Sequence, residues 1–452
     1  MKQSSPEFGL YSSRILLKNG FFDGTMIVKD GLISKLIPGK YQGEQLTVKD
    51  LNDLVVMPGI IDSHVHINEP GRTEWEGFES MTKAAISGGI TTLIDMPLNS
   101  SPVTIDTATF LDKQRASEGK LYCDCGFWGG IVPDNLDQLE DLLKAGVFGI
   151  KAFLTHSGID EFPNVNEEEL ERGLEILSRF QKPLLAHCEL DQEHAGLDLL
   201  KQNPNSYEAY LNSRPKSWED DAVRLMIRLC RKYQTPVHIV HLSSANTLDE
   251  IRQAKAEGLP LTVETCPQYL YFNAEDIPDG NTLYKCAPPI REKANNDLLW
   301  EAVLDGTIDF IVTDHSPAPP SIKEIESGNL LKAWGGISSI QFALPVVWTA
   351  GKKHQLPLEK LAFLMAEQVA RFLGIQEQKG HISEGARADL VVWDPEAQFK
   401  VQSMDIHYRH PVSPYIGETL YGVVHECYLG GHQVFDQGNF VSQPLGNVLL
   451  NK

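Results

Sequence analysis

No apolar run in this chain approaches the roughly 20 residues that span a bilayer, so a helical membrane protein is excluded. The opening stretch MKQSSPEFGLYSS has no apolar core and the closing NVLLNK is no address, so neither a signal peptide nor a targeting tail is expected. Positive charge is scarce: 40 Lys and Arg against 61 Asp and Glu leave a formal net charge of −21. That balance argues against nucleic acid or an anionic membrane surface as partner. The seven cysteines are odd in number and form no CxxC pair, which excludes a disulfide framework. They read as reduced, buried thiols of a reducing compartment, the cytoplasm by default, with Cys123 and Cys125 packing in a strand. Phosphate cradles are missing too. Gly88-Gly89, Gly129-Gly130 and Gly335-Gly336 fit neither a dinucleotide fingerprint nor a P-loop and read as helix ends and turns. No Gly-x-Ser-x-Gly elbow points to serine nucleophile chemistry.

What remains is the composition of a soluble enzyme, 42% hydrophobic and 22% charged. A length of 452 residues suits a large barrel with an appended domain. Near the start, residues 14–18, 24–28 and 32–36 alternate in polarity and are separated by the hairpin signals Asn19-Gly20 and Asp30-Gly31. The pattern returns at 388–393, 422–429 and 433–435, with Gly430-Gly431 between the last two. Neither set of strands is enough to cover its own apolar face. The two ends are therefore expected to form one β-sandwich, from residues 1–56 and 378–452, beside a central domain over 57–377.

In that centre, short apolar runs alternate with amphipathic stretches, the signature of parallel βα units. Eight strand candidates lie at 59–66, 91–96, 124–129, 149–153, 183–187, 237–241, 261–265 and 310–314. Helices are expected at 74–87, 104–117, 135–145 and 167–180, the last capped by Asn166 with Glu169 at the capping-box position. The long polar gap over 189–232 is expected to hold an extra helix or a lid. Eight alternations suit a (β/α)8 barrel, an α/β fold whose chemistry sits at the C-terminal strand ends.

Polar residues gather at those ends. The first strand finishes in Asp62-Ser-His64-Val-His66, and alternation turns His64 and His66 to one face. Lys151 lies in the fourth strand, and His187, His241 and Asp314 close the fifth, sixth and eighth. Imidazoles and carboxylates are metal ligands; a lysine among them is not. Its ammonium is a cationic substrate contact, or its neutral amine has taken up carbon dioxide as a bridging carbamate, and physics alone leaves both open.

The pattern resembles the cyclic-amide hydrolases of the amidohydrolase superfamily: dihydroorotases, hydantoinases and, most nearly, allantoinases. The segments that carry it are HVHINEPGRTEWEGFE (64–79), DMPLNS (95–100), GFWGGIVPDN (126–135), KAFLTHSGIDEF (151–162), KCAPPIR (285–291), DHSPAPP (314–320) and KAWGGI (332–337). The resemblance implies that His64, His66 and Asp314 bind one divalent metal, that His187 and His241 bind a second, and that carboxylated Lys151 bridges them. Zinc is the first expectation, and cobalt, manganese and iron suit the same donors. It also implies a homotetramer, a small-molecule substrate and Asp314 as the proton-transferring residue.

Dihydroorotases carry an arginine two residues after the HxH motif, where this chain has Asn68, which cannot pair a substrate carboxylate. That favours the neutral hydantoin allantoin, opened to allantoate in purine degradation. Dihydroorotases also follow Met-Pro with an asparagine; here Leu98 intervenes and Asn99 stands one place later. Asn68, Asn99 and the Ala287 backbone are the expected substrate contacts. His315 is expected to support rather than ligate, and His156 to sit on a surface loop. Two rivals are a hydantoinase, dihydropyrimidinase or dihydroorotase activity, and a non-catalytic scaffold relative.

Overall fold

The computed structural model describes residues 7–192 and 196–451. Parts of the opening stretch, of the polar gap and of the closing segment considered above lie outside the described residues. Strands β1 (Phe8–Leu17), β2 (Gly20–Lys29) and β3 (Leu32–Pro38) form a meander. Between β2 and β3, Asp30 and Gly31 have φ of 52° and 81°, the paired positive values of a type I′ turn. At Asn19-Gly20 the turn lies one residue earlier than expected, because Leu17 pairs with Gly20 and leaves Lys18 and Asn19 as the loop. β4 (Val48–Asp50) and β5 (Val55–Pro58) then run parallel to β1.

The barrel follows directly. Its strands are β6 (Ile60–Val65), β7 (Ile90–Asp95), β8 (Asp124–Phe127), β9 (Gly129–Gly130), β10 (Ile150–Phe153), β11 (Leu184–His187), β12 (Val237–Ile239), β13 (Leu261–Thr265) and β14 (Phe310–Ile311). All pairings among them are parallel. β6, β7, β8, β10 and β11 are buried along their whole length, as strands covered on both faces must be. The expected third strand is split at Trp128. Its backbone N–H turns to the Asp95 carbonyl at 2.9 Å, and its indole N–H donates to the Ser63 carbonyl at 2.7 Å. The ring closes where the His66 N–H donates to the His315 carbonyl at 2.9 Å.

Helices α1 (Phe78–Ser87), α2 (Thr107–Ser117), α3 (Leu139–Ala145) and α4 (Glu167–Ser178) pack outside. Three start later than expected, because side chains that read as helical do other work. Glu69 accepts the Phe78 N–H at 2.9 Å and Glu76 accepts the Arg409 N–H, so 69–77 is a loop braced by carboxylates. Asp106 caps α2 through the Thr109 N–H. Asn135 spends its amide on Val132 N–H and on the Ile105 and Gly130 carbonyls. α4 begins as expected, with Asn166 and Glu169 in a capping box. The polar gap holds α5 (Gly196–Gln202), α6 (Tyr207–Ser213) and α7 (Lys216–Tyr233).

β15 (Leu390–Lys400), β16 (Thr419–Leu429), β17 (His432–Asp436) and β18 (Asn439–Phe440) return the chain to its beginning. β15 pairs antiparallel with β5, so hydrogen bonds join the two ends into one sheet. That sheet folds over a shared core in which Leu10, Val28 and Ile33 meet Leu390, Val392 and Tyr428. The result is a (β/α)8 barrel with a β-sandwich built from both ends. Among the described residues no helix is long and apolar enough to cross a membrane.

Candidate metal and catalytic site

The residues expected at the strand ends do meet. His64, His66, Lys151, His187, His241 and Asp314 are all buried and line one cavity. His64 Nε2 and His66 Nε2 lie 3.2 and 3.3 Å from the same Asp314 oxygen, Oδ1. The ligand atoms of these three residues fall within 4.8 Å of one another, close enough to hold one metal ion. On the other side, His187 Nδ1 and His241 Nε2 are 3.0 Å apart. Lys151 stands between strands that carry the two groups, its Nζ buried and without a hydrogen-bond partner.

The backbone pays for this convergence locally. His241 and Asp314 have φ of 39° and 48°, the left-handed region that non-glycine residues rarely adopt. A strand continuing straight would carry both side chains past the cavity, and such strain costs on the order of 1–3 kcal/mol per residue. Asp62 bridges the two sides of the seam, accepting from His64 N–H at 3.0 Å and Thr313 N–H at 3.1 Å.

Burial sets the charge states. It depresses the pKa of His64, His187 and His241, keeping the imidazoles in the neutral form that binds metal. Burial lowers Lys151 to about 8. For Asp314 burial pushes upward, but His64, His66 and Lys151 together hold the carboxyl below its ordinary value.

Four groups behind the ligands escaped the sequence reading. Glu264, in β13, sits 2.5 Å from His64 Nδ1 and 2.9 Å from His238 Nε2. Burial opposes its ionisation, but the two histidines hold it down at about 2. Glu189 lies 2.7 Å from His187 Nε2 and takes the Arg214 guanidinium on both oxygens, which leaves His187 Nδ1 facing the cavity. An acidic residue inside the apolar run LTVETC, and another two places after His187, were the available signals. Such partners fix tautomer and ring orientation of metal-binding histidines.

Of the expected substrate contacts, Asn99 and Ala287 line the cavity. The Asn99 side-chain amide nitrogen is 3.2 Å from His66 Nδ1. Asn68 does not line the cavity; its amide donates to the Pro317 carbonyl at 3.2 Å and holds the loop after Asp314. His315 Nδ1 accepts the Ser339 and Ile340 N–H groups at 2.8 and 3.1 Å, a supporting position. His156 is exposed, 3.5 Å from Asp160.

The rim brings the quoted segments together. Arg72 donates to the Asn99 and Ser100 carbonyls and pairs with Glu161 at 2.6 Å. Trp75 meets Trp334 edge-on at 4.8 Å. At Gly71, φ is 83° and a Cβ would fall 2.0 Å from the Ser101 carbonyl oxygen, so only glycine fits there. Lys323 donates to the Trp334 and Gly336 carbonyls at 3.1 and 2.6 Å, tying down the segment that roofs the cavity.

The family model "Amidohydrolase family" matches residues 55–434. The chain belongs to the amidohydrolase family. This amidohydrolase is 44% identical to a curated protein of Arabidopsis thaliana named allantoinase, over 98% of its own length and 91% of the relative's. It is 42% identical to an allantoinase of Streptomyces avermitilis, with 99% of each covered. Among solved structures, it superimposes on L-hydantoinase (dihydropyrimidinase) from Arthrobacter aurescens with a TM-score of 0.93 at 29% identity, covering 98% of this chain and 99% of that one.

Proposed function

We propose that this amidohydrolase is an allantoinase, opening the hydantoin ring of allantoin to give allantoate. One observation carries the reading: six convergent, buried polar side chains lie in a chain that follows allantoinases over nearly its whole length. In this proposal His64, His66 and Asp314 would hold one divalent ion and His187 and His241 a second, with Lys151, as a carbamate, as the ligand they would share. The donor chemistry supports it: four imidazoles, of which burial favours the neutral form at His64, His187 and His241, one carboxylate, and a buried Lys151 Nζ with no hydrogen-bond partner and a pKa lowered to about 8. Zinc suits such a set, with carbon dioxide as the co-reactant at Lys151.

When bound, the metal pair supplies Lewis acidity, activating water and polarising the ring carbonyl. The chain's own residues do the rest. His64 Nε2 and His66 Nε2 converge on one Asp314 oxygen, the one that would share their metal ion, so the other is left for the proton of the attacking water. Asp314 then delivers that proton to the departing ring nitrogen. Ala287, on the cavity wall, offers a backbone N–H, which Pro288 and Pro289 lack. Trp334 forms part of the cavity wall.

The test is allantoate formation by purified, metal-supplemented protein. Ring opening that is absent with metal present would refute the proposal. A hydantoinase or dihydropyrimidinase activity is the second reading, favoured by the full-length superposition on the Arthrobacter enzyme. A panel of allantoin, hydantoin and dihydrouracil decides between them. The same reading carries a homotetramer and a cytoplasmic location; seven free, buried cysteines support the latter.

A further inference from the structure

Three cavities run in series from the metal-ligand cluster outward. The site cavity, about 70 Å³, has room for only a few water-sized groups. It shares Phe153, His187, Ala287 and Trp334 with a second cavity of about 350 Å³. That one shares Tyr210, Arg214, Lys285 and Leu331 with a third, of about 850 Å³, whose wall includes exposed residues of α5. Lys285 lines both outer cavities and not the site cavity.

The cations along this route differ in pairing and exposure: Arg214 is engaged by Glu189, Lys201 by Asp198 at 3.1 Å, and Lys332 is exposed to solvent, whereas Lys285 is half-buried. Among the described residues, Lys285 has no carboxylate within ion-pair distance. Its Nζ donates to the Ala333 carbonyl at 2.5 Å and lies 5.4 Å from the Tyr210 ring centre. An ammonium carries three N–H groups, so two are left for a further acceptor. Burial, with Arg214 adding to it, lowers Lys285 to about 8, the situation of a cation short of a counter-charge.

Ring opening creates that counter-charge. Water adds to the ring carbonyl carbon and the C–N bond breaks. One proton goes to the nitrogen, and the new carboxylic acid loses the other to solvent. A neutral substrate thus leaves as an anion. We propose that Lys285 is a specificity-determining residue that recognises the product carboxylate in the vestibule and discriminates it from the neutral substrate. This rests on the allantoinase reading above.

The experiment compares product inhibition with substrate affinity in the metal-loaded full-length enzyme. Wild type, Lys285→Gln and Lys285→Arg are assayed with allantoin in the presence of increasing allantoate. In Lys285→Gln the allantoate inhibition constant rises about tenfold, in line with losing one charge-assisted contact, while the KM for allantoin moves less than twofold. Lys285→Arg restores the wild-type inhibition constant. If Lys285 merely anchors Ala333, the inhibition constant and KM rise together, and the proposal is overturned. An unchanged inhibition constant in Lys285→Gln overturns it as well. Wild-type protein that does not turn over allantoin removes the parent reading instead, and this proposal with it.

Discussion

Glu264 and His64, 200 positions apart in sequence, are both fully buried and meet at 2.5 Å. The carboxylate fixes Nδ1 as the protonated nitrogen and turns Nε2 toward Asp314. Glu264→Gln keeps the shape and loses the charge. Metal affinity is expected to fall about 10–100-fold, measured by competition with a chelator, while circular dichroism stays native. Wild-type metal retention in Glu264→Gln would show that the ring needs no such support.

Lys151→Ala removes the anion proposed to lie between two cations, so metal and activity should be lost together. Added acetate or propionate, supplied with metal, is expected to restore part of the activity by filling the vacated space. The metal-free protein gives an independent sign. Burial lowers Lys151 to about 8, so its neutral amine, the form that adds to carbon dioxide, is minor at pH 6.5 and dominant at pH 9. Uptake of ¹³C-bicarbonate by wild type, read by NMR, should rise across that interval and vanish in Lys151→Ala. A signal that survives the substitution points to another site.

Asp314→Asn leaves an oxygen donor but no proton acceptor. Activity is expected to fall by about 10²–10⁴-fold or more, with much of the metal still bound in elemental analysis and no rescue by acetate. Near-wild-type turnover would move the proton transfer to another group.

Substrate choice follows from the charge of the cavity wall. Among the described lining residues, no arginine is present to pair a carboxylate. Allantoin should therefore be opened with a far higher kcat/KM than dihydroorotate, and comparable values would sink this account. Asn68→Arg is expected to weaken allantoin hydrolysis for a different reason than its place in the sequence suggests. It breaks the bond to the Pro317 carbonyl and forces a long side chain onto a backbone with φ of 67°.

On the opposite side of the barrel, Lys379 is buried with Asp124 at 2.8 Å and also pairs with Asp389. Burial alone would raise the Asp124 carboxyl, but Lys379 and Arg387 hold it below its ordinary value. Its contribution to stability is thus present above the unfolded carboxylate pKa and disappears as pH falls through the folded one. Lys379→Met leaves two buried carboxylates facing each other, with only Arg387 to balance them. A loss of about 3 kcal/mol at neutral pH is expected by chemical denaturation, narrowing as acid protonates both acids. A loss that does not shrink in acid contradicts this assignment.

Much of the architecture was legible because it follows local periodicity. Short apolar runs that lead into His64, His187 and Asp314 read as buried parallel strands, and Asp30-Gly31 and Gly430-Gly431 as tight turns. Composition argued against a membrane helix and a disulfide framework; among the described residues no helix is long and apolar enough to cross a membrane, and the seven cysteines are free. The identity of the six polar side chains at the strand ends was likewise written in the chain. What tertiary structure decided is which partner each of them faces. Glu264 read as a strand residue, and only closure of the ring brings it to His64; Glu189 read as a loop residue, and the turn after His187 folds its carboxylate back onto that imidazole. Asn68 read as a substrate contact, yet its left-handed backbone sends the amide to Pro317. The split at Trp128, and the left-handed turns at His241 and Asp314, have no local signal. Strand propensity favours continuing each run. The strained alternatives persist because the surrounding barrel, through bonds such as those from Asp62 to residues 64 and 313, fixes them from outside the segment.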